Sequence, residues 1–151
     1  MTARAELPKG RKTEGKLIVT LDDGTNKTFR CLGRSDQKAA NDVGNPSRDP
    51  LKRYGDLPVG GYQVTRSSPA QPTAANLRSY GVGPVWHLDP KSGQALAAKN
   101  NGRFAILIHG GAPAADGTSL RPTHGCLRVQ ESTVTALAKL DAQFHLTVVE
   151  V

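Results

Sequence analysis

Two His-Gly pairs mark the stretches of this sequence whose residue types and spacing could do chemistry. The first, His109-Gly110, closes "RFAILIHGG" (103–111), and the second, His124-Gly125, stands directly before Cys126 in "RPTHGCLRV" (121–129). A thiol attacks as the thiolate; free cysteine titrates near about 8.5, and an imidazole beside it lowers that value by stabilising the anion. The imidazole in turn needs a third group to orient it. His109 ends an apolar run that reads as a strand, so its ring can be held firmly. Cys126 follows after enough chain for a loop to fold back and bring the thiol to that ring. Gly110, Gly111 and Gly125 let the backbone approach a substrate closely. The backbone N–H groups of Gly125 and Cys126 are then placed to meet an oxyanion.

Two blander readings compete with a nucleophile. A buried cysteine is commonly core, although Cys126 lies in a polar loop between Gly125 and, two residues on, Arg128. A zinc site could use His109, His124 and Cys126, but no second cysteine pair accompanies them. The other cysteine, Cys31 in "KTFRCLG", reads as a small buried hydrophobe. Both cysteines are taken as free thiols. His87 and His145 read as ordinary strand residues.

The elements that position these groups follow from the apolar pattern. The chain has 151 residues, 37% of them apolar, with 16 glycines and 10 prolines, which favours short strands and many turns in one domain. Residues 1–15 are polar and basic and read as a flexible N-terminal arm, with residues 16–151 forming the domain. "KLIVTL" (16–21) and "KTFRCL" (27–32) flank the turn "DDGTN" as a hairpin. Residues 33–56 read as a long polar loop suited to flanking a substrate groove. Strands are expected within 57–66, near 83–90, at "RFAILIHG" and over 145–151. The Ser/Pro/Ala-rich stretch 67–78 and the Gly/Pro/Ala-rich stretch 110–125 read as loops. "SGQALAAKNNG" (92–102) reads as holding one helical turn. The best helix is "ESTVTALAKLDAQF" (131–144), with Ser132 as its N-cap and Val134, Leu137 and Ala138 on one face. The expected fold is mainly β, a single-domain sandwich or small barrel with one or two short helices, the main one after Cys126.

At this length of motif the chain resembles a known family. "HGGAPAADGTSLRPTHGCLRV" closely resembles the signature of L,D-transpeptidase catalytic domains of the YkuD type. That signature is a histidine, a loop of some fifteen residues, then Ser/Thr-His-Gly-Cys, an aliphatic residue, and Arg or Asn. Here it reads His109, then Thr123-His124-Gly125-Cys126-Leu127-Arg128. "KLIVTLDDGTNKTFRCLG" looks like the family's opening hairpin, and "DLPVGGYQV" like its turn and strand, with Leu57 where threonine is usual. "CLRVQESTVTALAKLDAQFHLTVVEV" looks like its final helix and strand.

The resemblance implies a role for each matched position. Cys126 would attack the carbonyl of meso-diaminopimelate, the third residue of a peptidoglycan stem peptide, and expel D-Ala. His109 would be the general base, its other ring nitrogen oriented by a backbone carbonyl, that of Gly110. His124, Gly125 and the Cys126 N–H would shape the oxyanion pocket. Thr123 and Arg128 would serve substrate binding, Arg128 by gripping a carboxylate or by bracing the loop. The acyl-enzyme would pass to an amine, giving a cross-link or D-amino-acid exchange, or to water, giving a carboxypeptidase. No cofactor and no metal is implied.

The net charge of +7 suits an anionic partner, nucleic acid or an acidic cell-wall polymer. The basic residues are scattered, no RNA-binding motif accompanies them, and aromatics are too sparse for a stacking platform. A non-catalytic domain that binds cell wall or nucleic acid stands as the alternative to the enzyme. Peptidoglycan stem peptides are the expected partner, and the periplasm or cell envelope the expected site of action. No run is long enough to span a membrane. The opening residues lack the apolar middle of a secretory signal. Export by a dedicated secretion system, as an antibacterial effector with an immunity partner, is the expectation this suggests, against a housekeeping enzyme whose leader has been trimmed.

Overall fold

The computed structural model describes residues 1–151. Strand β1, Thr2–Leu7, buries Ala3, Ala5 and Leu7 and turns Thr2, Arg4 and Glu6 outward or to the margin. It pairs antiparallel with β2 (Gly15–Thr20) and parallel with β8 (Gln143–Glu150). This corrects the expectation of a flexible arm over residues 1–15. The alternation there is carried mostly by alanine, which gives little hydrophobic or β-forming signal, and one partner strand lies at the far end of the chain. β2 and β3 (Asn26–Leu32) form the expected hairpin. Its turn uses Gly24 at φ 84° and the Asp23 carboxylate, which accepts from Thr25 N at 2.8 Å.

The strands β4 (Gly60–Ser67), β5 (Val85–Pro90), β6 (Leu107–His109) and β7 (Leu127–Val129) complete a closed barrel. Its order is β1-β2-β3-β7-β6-β5-β4-β8. Closure removes the exposed edges that an open sheet of such short strands would present. Leu17, Val19, Tyr62, Val64, Trp86, Ile108, Leu127, Val129, Leu146 and Val148 fill the interior. Cys31 joins that core, and burial pushes its thiol up to about 12. His87 and His145 lie exposed on β5 and β8.

Four short helices, rather than one or two, decorate the barrel. Within the expected loop 33–56 lies α1, Gln37–Asp42, capped by the Asp36 side chain, which accepts from Ala39 N. Within the loop expected at 67–78 begins α2, Ala74–Tyr80, capped by Thr73. Neither has an apolar stripe: α1 buries only Ala40 and α2 buries nothing, so hydrophobic periodicity had nothing to register. The third, α3, spans Gly93–Asn100. The last, α4, runs Glu131–Ala138 and is shorter than expected, because β8 begins at Gln143. Its N-cap is Gln130, not Ser132, and makes no side-chain cap bond. No helix is long and apolar enough to cross a membrane.

Candidate functional site

The site is built on the parallel pair β6–β7. Its register sets Ile108 opposite Leu127 and His109 opposite Arg128. Ile108 and Leu127 point into the core and are fully buried. Side chains alternate along a strand, so His109 and Arg128 share the other face, and Cys126, two residues before Arg128, is on that face too. Strand spacing and rise put the Cα atoms of Cys126 and His109 roughly 8 Å apart on a diagonal. A pairing between residues so distant in sequence brings the two His-Gly stretches together.

His109 is 2% exposed, and its Nδ1 lies 2.8 Å from the Gly110 carbonyl oxygen. A carbonyl only accepts, so Nδ1 carries the proton and Nε2 is left as the basic nitrogen. Tyr80 packs edge-on against the imidazole at 4.9 Å. Burial, opposed by the Gly110 bond and reinforced by the charges of Arg128, Arg121 and His124, lowers the imidazole to about 4. The ring is therefore neutral near pH 7.

Cys126 is 9% exposed, and its sulfur accepts from Leu107 N at 3.4 Å and faces the Ala105 carbonyl at 3.8 Å. No hydrogen bond joins it to His109. Burial raises the thiol above its ordinary value, and the Leu107 N–H, Arg103 and Arg128 only partly oppose that. The arrangement thus pairs a neutral thiol with a neutral imidazole. It departs from the expected thiolate held by its neighbouring ring, because burial outweighs every stabilising contact.

Thr123 and Arg128 brace the loop through backbone contacts. The Thr123 hydroxyl accepts from Gly125 N at 3.0 Å and Cys126 N at 2.8 Å, and donates to the Cys126 carbonyl at 3.0 Å. The two N–H groups expected to meet an oxyanion are thereby occupied. Arg128 donates to the carbonyls of Arg121 at 2.8 Å, Ser79 at 3.1 Å and Gly110 at 2.5 Å. The last is the carbonyl that orients His109. Gly111 makes this possible: a Cβ there, at φ 118°, would collide with Arg128 Nη1 and the Arg78 carbonyl. His124 is exposed and stacks on Tyr54 at 4.6 Å, with the Arg53 guanidinium 4.8 Å from the Tyr54 ring centre.

The Tyr54–His124 stack, Tyr80, Phe104 and Arg103 line a cleft of about 520 Å³ that opens onto Cys126. The segment 33–56 does flank this cleft, through Lys52, Arg53 and Tyr54. Tyr54, Tyr80 and Arg103 escape a reading of the sequence, since nothing local distinguishes them from other surface aromatics and cations. The zinc reading fails on geometry. No group of three or more His, Cys, Asp or Glu side chains is disposed to hold a metal, and the His124 ring is stacked on Tyr54.

The buried imidazole also makes an acid-stability prediction. His109 titrates at about 4 when folded and at 6.5 when free, so between those values the unfolded chain holds the extra proton. Stability from this residue is complete above the upper value and is lost as pH falls toward the lower one, about 3 kcal/mol in all. Urea unfolding at about pH 7 and about pH 4 should show His109→Gln losing correspondingly less than wild type. Equal losses would place His109 elsewhere than in a buried site.

No protein-family profile matches the sequence, and no curated protein matches it at a significant level. Solved structures share the fold. The crystal structure of the helical cell shape determining protein Pgp2 from Campylobacter jejuni is 19% identical, with a TM-score of 0.53 over 99% of this chain and 48% of that one. The structure of Bd1075 from Bdellovibrio bacteriovorus is 13% identical, with a TM-score of 0.55 over 97% of this chain and 47% of that one. The chain spans about half the length of each. At these identities the likeness is one of fold.

Proposed function

We propose that the domain is a peptidoglycan-modifying cysteine acyltransferase that acts on the meso-diaminopimelate–D-Ala bond of tetrapeptide stems. The observation that carries this reading is the parallel strand pair that brings the His109 and Cys126 stretches together, with the His109 tautomer fixed by Gly110 and Cys126 lining a cleft. The resemblance of "HGGAPAADGTSLRPTHGCLRV" to L,D-transpeptidase catalytic domains supplies the substrate class, and a cell-shape determining protein among the fold neighbours accords with it. Action on the wall places the protein's work in the cell envelope.

Because thiol and imidazole are both neutral at rest, proton transfer accompanies attack. The Cys126 side chain rotates from Ala105 toward His109, Sγ bonds to the scissile carbonyl carbon, and Nε2 takes the thiol proton. The tetrahedral intermediate collapses to a thioester, the C–N bond to D-Ala breaks, and the proton passes to the leaving amine. Water or an amine then attacks the thioester, with Nε2 again taking the proton and returning it to sulfur. The negative charge that forms lies near Arg103 and Arg128, and neither guanidinium is paired with a carboxylate. The acyl group then passes to water, which trims the stem, to a free D-amino acid, which exchanges its terminal residue, or to a second stem peptide, which cross-links it.

Incubation with purified tetrapeptide muropeptides, with and without a free D-amino acid, tests this by product mass. Tripeptide means carboxypeptidase, mass-shifted tetrapeptide means exchange, and dimers mean cross-linking. Unaltered tetrapeptide would contradict the proposal. A domain that only bound anionic polymers would use the +7 charge and leave Cys126 dispensable.

Phe104 provides an independent check on the cleft. It is 86% exposed at the cleft wall, where its ring is free to meet a ligand. Covering it with substrate would contribute about 1.5–3 kcal/mol. Phe104→Ala should therefore raise KM about tenfold or more, with kcat and thermal stability little changed. An unchanged KM would remove this wall from the substrate path.

A further inference from the structure

Arg103 is 8% exposed, and its guanidinium spans two stretches of backbone. Nη1 donates to the Pro50 carbonyl at 2.6 Å and the Asp56 carbonyl at 2.8 Å. Nη2 donates to the Gly55 carbonyl at 2.9 Å and, from the other side, to the Gly125 carbonyl at 3.1 Å. No carboxylate pairs with it directly, although the charges of Asp56 and Asp49 act on it from farther off. The carboxylate of Asp56, on the segment the guanidinium grips, is held by Arg48 at 3.0 Å and by Ser35 N at 2.8 Å. Gly125, at φ 111°, is shaped to this contact, since a Cβ there would collide with Arg103 Nη2 and crowd the Gly55 carbonyl.

We propose that Arg103 is a positioning residue that locks the Gly125–Cys126 peptide to the segment 50–56 and so sets the reactivity of the Cys126 thiol. Four carbonyls shared between two guanidinium nitrogens need a fork of donors, which lysine does not have. Burying a cation without a counter-ion is unfavourable, and an apolar side chain of similar volume would fill the space at less cost. The charge is thus there for something other than packing. The charged groups that act on the Cys126 thiol are Arg103 and Arg128, the latter on the same strand as the cysteine's own segment, and both favour the anion. Because Lys52, Arg53 and Tyr54 lie within the clamped segment, the same contact ties the cleft wall to the cysteine.

For turnover this rests on the acyl-transfer reading, but the thiol can be measured without substrate. The test is the rate of Cys126 alkylation by iodoacetamide in intact wild type, Arg103→Gln and Arg103→Lys, from about pH 6 to about pH 10, with circular dichroism as the check on fold. Cys31, buried in the core, serves as the internal control. Arg103→Gln should slow alkylation about tenfold near neutrality and move its pH midpoint upward. Arg103→Lys, which keeps the charge without the fork, should fall between the two. A folded Arg103→Gln protein with unchanged rate and midpoint would overturn the proposal. So would failure of both variants to fold, which would make Arg103 a residue of the fold alone. Loss of the effect with muropeptide turnover intact would leave the acyl-transfer reading standing.

Discussion

Cys126→Ala is expected to lower turnover of tetrapeptide stems by about 10³-fold or more while the barrel stays folded. The size follows from mechanism: without Sγ no thioester forms, and a neutral imidazole activating water directly lacks a covalent route. The structural cost is small. Cys126 lies outside the core cluster, and its sulfur makes one N–H contact at 3.4 Å and one carbonyl contact at 3.8 Å. The Thr123 hydroxyl holds the backbone of residues 125 and 126 independently of the side chain. Initial rates of muropeptide consumption, beside thermal unfolding, check both halves. Turnover surviving in the variant would remove the cysteine from the mechanism.

His109→Ala is expected to reduce kcat/KM by about 10²–10⁴-fold, the usual contribution of a positioned general base. The wild-type pH profile carries a sharper signature. Nε2 must be unprotonated to act, and the ring titrates at about 4 instead of 6.5. The acid limb of kcat/KM should therefore lie near the lower value, with activity persisting well below the range in which an ordinary histidine base fails. A limb at the ordinary histidine value would mean that the imidazole is solvated, or that another group is the base. Arg128 bears on the same result, because it grips the Gly110 carbonyl that orients the ring.

The parts of this molecule legible in the sequence are those whose signal is local. The β2–β3 hairpin announces itself through alternation around an Asp-Gly turn, and Leu146 and Val148 give β8 its buried face. Cys31 reads as core because a free cysteine is among the residue types most often buried. What stays hidden depends on partners far away or on backbone alone. β1 needs β8 to be a strand, α1 and α2 bury too little to show a period, and β6 shrinks to three residues of its apolar run. At the site, both His-Gly pairs stand out, but the parallel register that makes them neighbours does not. Nor does the occupation of the Gly125 and Cys126 N–H groups by Thr123, which no spacing rule contains. Arg103 is the plainest case: in sequence it is one of 20 basic residues, and only the fold sets four carbonyls around it.

The central claim is that Cys126 becomes acylated by the stem peptide, and intact-protein mass after an acid quench tests it directly. Wild type mixed with tetrapeptide muropeptide should gain the mass of the donor less D-Ala. The adduct should map to Cys126 and be released by hydroxylamine, as a thioester is. Cys126→Ala should gain nothing. His109→Ala should gain it slowly, since the sulfur remains but its base is gone. Product formation without any adduct on Cys126, or an adduct that maps elsewhere, would contradict the account.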